Sequence, residues 1–125
     1  MTRFALLTLA AALAAPPASA ITIANPASDQ LSQLGDIPRR AALRGALLDS
    51  GFQCVRVEQA ARQGPWGNLM MWRAKCDLKD VRFDYGVFIG PDGSIQARRC
   101  GDMKLLGLPP CRPLVRQSAS RQSSR

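Results

Sequence analysis

Most of the chemistry this sequence can offer resides in four cysteines, Cys54, Cys76, Cys100 and Cys111. Thiolates bind zinc when they come in close pairs such as C-x-x-C. The smallest gap here is eleven residues, between Cys100 and Cys111, so the spacing points away from zinc. A nucleophilic cysteine needs a neighbouring base to hold it as thiolate, most often a histidine. The chain has no histidine, and Glu58 is its one glutamate. Those absences exclude catalysis built on a histidine base, and most metalloenzymes with it. The remaining role is structural: an even number of cysteines in a small exported chain reads as two disulfides, with three possible pairings.

The other polar groups point to binding. Asp77, Asp80 and Asp84 form a loose acidic group, but they lack the dense oxygen ligands and terminal glutamate of a calcium loop, so turn chemistry is the simpler reading. Ser94 follows a turn and has no base, and Asp102 with Lys104 makes an ordinary exposed pair. The sequence therefore predicts a protein that is not an enzyme and needs no cofactor or metal. Trp66 sits in a Gly-Pro-Trp-Gly loop, where an indole either packs back on the fold or meets a partner. Arginine outnumbers lysine fourteen to three and the formal charge is +8. Such a charge favours anionic surfaces, whether lipid headgroups, acidic polysaccharide or an acidic protein. Nucleic acid is disfavoured by the export signal and by the few aromatics interleaved with the charge. Trp66, Arg73, Lys75, Arg98 and Arg99 are the candidate partner-binding residues.

The elements that must position these residues follow from patterning. Residues 1–20 read as a signal peptide: basic Arg3, an apolar run from Phe4 to Ala15, Pro16-Pro17, then small Ala18-Ser19-Ala20. The run is too short to span about 30 Å of hydrocarbon, and no second one follows. The expectation is a periplasmic or secreted protein, cleaved near Ala20, with no transmembrane segment. The remaining chain of about 105 residues suffices for one small domain. Residues 21–35 read as a polar lead-in with at most one turn around Leu31 and Leu34. A helix begins at Asp36-Ile-Pro38, with the aspartate as cap, and ends near Ser50 because Gly51 suits a left-handed conformation. Its apolar set is Ile37, Ala41, Leu43, Leu47 and Leu48, split by Arg40 and Arg44.

From Phe52 the period becomes two. Strands are predicted over Phe52–Arg62, Leu69–Cys76 and Val81–Ile89, with a fourth through Ile95 and Ala97 after the turn Gly90-Pro-Asp-Gly93. The fold class is α+β: one N-terminal helix packed on a four-stranded antiparallel meander, stapled by disulfides, within a domain spanning 36–113. Residues 114–125 are expected to form a disordered basic tail, its Ser/Arg/Gln part from Gln117 to Arg125 having nothing to bury. A turn centred on Pro65 sets Cys54 opposite Cys76, which leaves Cys100 to close on Cys111. That register turns Val55 and Val57 outward and Arg56 and Glu58 inward, so a bulge or a one-residue shift is required.

The stretch Phe83-Asp-Tyr-Gly-Val-Phe-Ile-Gly-Pro-Asp-Gly-Ser-Ile95 resembles the hairpin of PepSY-type domains, and so does the helix-then-meander order from Asp36 to Cys100. The resemblance implies a non-enzymatic envelope module that binds or inhibits a protein partner. The cysteines, the Pro65-Trp66 loop and the basic tail depart from that pattern. The alternative expectation is an electrostatic binder of anionic envelope components.

Overall fold

The computed structural model describes residues 23–76 and 84–114. The expected signal peptide, the acidic pair Asp77 and Asp80, the predicted strand start at residues 81–83 and the expected tail from 115 on lie outside the described residues. The fold is α+β: two helices precede a four-stranded antiparallel sheet in the order β1-β2-β3-β4, and two disulfides brace it. No helix among the described residues is long and apolar enough to cross a membrane.

The first helix, α1 (Pro26–Gln33), replaces the expected loose lead-in. Asn25 accepts from the Ser28 amide at 3.0 Å, and Pro26 follows it as the first helical residue. Asn-Pro here caps a helix instead of making a turn. Asn25 also donates from Nδ2 to the Ile89 carbonyl at 2.8 Å, and the Trp72 indole donates to Ser28 Oγ at 2.9 Å. These buried bonds fasten α1 to the sheet. Replacing Asn25 by alanine is expected to cost about 2 kcal/mol in chemical denaturation, since it uncaps α1 and leaves the buried Ile89 carbonyl unpaired.

The second helix, α2 (Asp36–Asp49), buries Leu43, Ala46 and Leu47. Its cap is Gly35, with no side-chain bond, while Asp36 pairs with Arg40 one turn on at 3.1 Å. Ile37, Ala41 and Leu48 are exposed, which corrects the apolar set expected for this helix. Arg39 closes the end of α1, donating from Nε to the Leu31 carbonyl and from Nη2 to those of Ser32 and Leu34. Arg44 donates from Nε to the Cys54 and Val55 carbonyls, both at 2.9 Å, so the arginine that splits the helix pattern ties α2 to the chain leading into the sheet.

Strands β1 (Val57–Trp66) and β2 (Leu69–Cys76) are joined at Gly67-Asn68, two residues beyond the expected turn centre. Gly67 has φ 58°, the left-handed conformation such a tight turn demands. Register shifts between Val57 and Gln59 and between Arg62 and Gly64 bring Val57 opposite Cys76 and bury it. Cys54 lies just before β1 and not in the ladder, yet it bonds Cys76 with a Cα separation of 5.6 Å. Strand β3 (Asp84–Ile89) turns at Gly90–Gly93 into β4 (Ile95–Arg99), followed by a 3-10 turn at Cys100–Asp102. In that turn Asp92 accepts from the Ser94 hydroxyl and amide, which holds its carboxyl below the usual value.

Both sheet faces are covered. One carries Trp72, Ala74, Tyr85, Val87, Ile89 and Ala97 against α1 and α2. The other carries Met71 and Phe88, roofed by Met103, Leu108 and Cys111 of the segment 100–114, here called the strap. Gly86 leaves room for it: a Cβ there would lie 2.5 Å from the Met103 terminal methyl and 2.9 Å from that of Met71. The Cys100–Cys111 disulfide closes the strap on itself.

Candidate functional site

Period-two alternation divides the five candidate partner-binding residues between the two faces. Trp66 lies opposite Leu69, Arg73 opposite Ala61 and Gly86, Lys75 opposite Gln59 and Asp84, and Arg98 opposite Gly86, all on the strap side. Arg99 follows Arg98 directly and so points to the helix side, where its guanidinium lies 5.7 Å from the Phe52 ring centroid. Adjacent strand residues cannot share a face, so the structure does not bring this arginine to the other four.

Trp66 both packs and shows itself. Its ring meets Phe88 edge-on with centroids 5.8 Å apart, and the residue remains 42% exposed. Arg98 stays on the surface and donates to the Ala97 carbonyl beside it.

Arg73 is a brace, not an open contact. It is only 8% exposed. Its Nη2 pairs with Asp84 Oδ2 at 3.2 Å, and its Nε donates to the Arg112 carbonyl of the strap at 3.0 Å. Nη1 is buried with no partner among the described residues. The strap is laced to β1 as well. Gln63 donates to the Pro110 carbonyl at 2.7 Å and accepts from the Arg112 amide at 2.9 Å, while Arg112 Nη2 donates back to the Gln63 carbonyl. Arg73 thus carries a charge the fold has largely taken out of water, with one carboxylate beside it. Asp84, from the acidic group considered for calcium, is that carboxylate; Asp77 and Asp80 lie outside the described residues. No group of three or more potential metal-ligating side chains occurs among the described residues.

Two hollows flank Arg73, one of about 400 Å³ reaching Gln63 and Arg112, the other of about 330 Å³ reaching Gln59, Lys75 and Asp84. Pro113 and Leu114 wall both. A further groove of about 340 Å³ separates α2 from the start of β1, with exposed Ile37 and Val55 beside Arg40 and Arg44.

Sequence reasoning missed the strap's own surface. Leu105 is 88% exposed and Leu106 50%, on the loop that Cys100 and Cys111 close. The available signal was Lys104-Leu-Leu-Gly107, an apolar pair inside a short cysteine-bounded segment with no alternation to bury it. Comparison with known proteins returns no match to a family model, to a curated protein or to a solved structure.

Proposed function

We propose that this protein is a non-enzymatic, exported binding module that engages a protein partner through its strap side. One observation carries the reading: Leu105 and Leu106 stand in solvent on a disulfide-closed loop, with half-exposed Trp66 on the same side of the sheet. Single exposed leucines are commonplace. A leucine pair on a constrained loop differs, because the loop's ordering cost is already met and each side chain stabilises a complex by about 2 kcal/mol when fully buried. The resemblance of the helix-then-meander order to PepSY-type modules supports a binding role, and the paired cysteines suit an oxidising compartment such as the periplasm.

The test places a photo-reactive side chain in place of Leu105 and, as control, in place of exposed Ala42 on α2. The expected result in native envelope is one crosslinked protein from the strap probe only. Unlabelled wild type should compete it away and the Leu105→Asp variant should not. The same adduct should form when irradiation is carried out at about 1 M salt, where the screening length is about 3 Å. Leu105→Asp should leave the melting temperature unchanged, because the residue buries nothing in the free protein. Equal labelling from both probes, or binding that disappears with salt and transfers to anionic vesicles, would overturn the protein-partner reading.

A further inference from the structure

The two hollows beside Arg73 carry an inference that does not depend on the exposed leucines. Among the described residues, their walls bring together three cationic side chains, Arg73, Lys75 and Arg112, with one carboxylate, that of Asp84. Arg62 also borders the larger hollow, but its guanidinium runs to the Met70 sulfur on the helix side. Two positive charges therefore stand in excess among the described residues. The innermost belongs to a nine-tenths-buried arginine whose Nη1 has no partner among the described residues. A buried guanidinium with an unmet donor is costly, and that cost is recovered when an anion arrives. Attraction is also stronger there than at an exposed surface, because the local dielectric is lower.

We propose that the two hollows form one oxyanion site suited to a phosphate dianion, either free phosphate or the phosphomonoester of a headgroup. Its double charge balances the excess, and its oxygens accept in the directions that a guanidinium fork and a lysine ammonium supply. Nη1 is covered in the free protein, and Pro113 and Leu114 wall both hollows, so full seating shifts that end of the strap.

The experiment titrates the full exported chain with inorganic phosphate by calorimetry. Lys75→Gln should weaken binding about tenfold, the loss of one charge-assisted hydrogen bond. Arg99→Gln removes an equal charge from the opposite face and should change affinity less than about twofold. Asp84→Asn should bind phosphate more tightly than wild type, and phosphate should raise its melting temperature by more. Vesicles bearing phosphatidic acid separate the sources. Vesicle binding that free phosphate displaces assigns the site to a headgroup. Phosphate binding without vesicle binding assigns it to a soluble anion. No measurable phosphate binding by wild type, or equal losses in Lys75→Gln and Arg99→Gln, would overturn the proposal. Leu105→Asp should leave the phosphate titration untouched, so the failure of either reading is visible separately.

Discussion

Replacing Asp84 by asparagine will destabilise the protein by about 3 kcal/mol, one of the two largest effects expected of any polar substitution or crosslink here. Asp84 and Arg73 have side chains only 14% and 9% exposed, and Arg73 holds the strap through the Arg112 carbonyl. Loss of the carboxylate strands a desolvated guanidinium, which is worse than having no ion pair at all. The paired replacement Arg73→Met with Asp84→Leu should recover most of that stability, since it removes the charge together with its partner. Urea unfolding of the two variants beside wild type measures both numbers. If Asp84→Asn stays within about 0.5 kcal/mol of wild type, the brace is not structural and the pair behaves as an exposed one.

Removing either disulfide should cost a similar amount by a different route. Cys54–Cys76 and Cys100–Cys111 close segments with sequence separations of 22 and 11, and both come to about 3 kcal/mol in the chain-entropy model. Their consequences should part company in the surface exposed. Cys100→Ser with Cys111→Ser loosens the strap over Met71 and Phe88, so a hydrophobic dye should bind before the sheet unfolds. Cys54→Ser with Cys76→Ser acts on the helix-side core, which holds most of the buried residues, and should lower the global transition without a dye-binding phase. Dye binding in the second variant, or its absence in the first, would contradict the division into two cores.

The meander and α2 were legible because the strands alternate and the last hairpin turn carries glycine and proline at Gly90-Pro-Asp-Gly93. What the residues hid has identifiable causes. Asn25-Pro26 suits a turn as well as a helix cap, and only Ile89 and Trp72, more than forty residues away, decide for the helix. The disulfide partners followed from a symmetric hairpin about Pro65, whereas the chain turns at Gly67-Asn68 and makes up the difference with two register shifts. Bulges leave little trace in composition, although Gly64, at φ 148°, marks one of them. The second core leaves a trace in Phe88 and Met71, which alternate with the residues facing the helices. Two large apolar residues on a supposed solvent face are a sign that something covers it. With the strap unseen, Arg73 read as an exposed contact, and the hollows it walls had no roof.

The order of the bonded cysteines has a bearing on how the protein is made. The first half-cystine joins the second and the third joins the fourth, so neither crosslink encloses or straddles the other along the chain. A polypeptide emerging amino terminus first presents Cys54 and Cys76 before Cys100 appears. An oxidant that couples thiols strictly in order of arrival therefore produces the native connectivity at the first attempt. Maturation requires a donor of oxidising equivalents but no reshuffling, and its yield should be indifferent to loss of a disulfide isomerase.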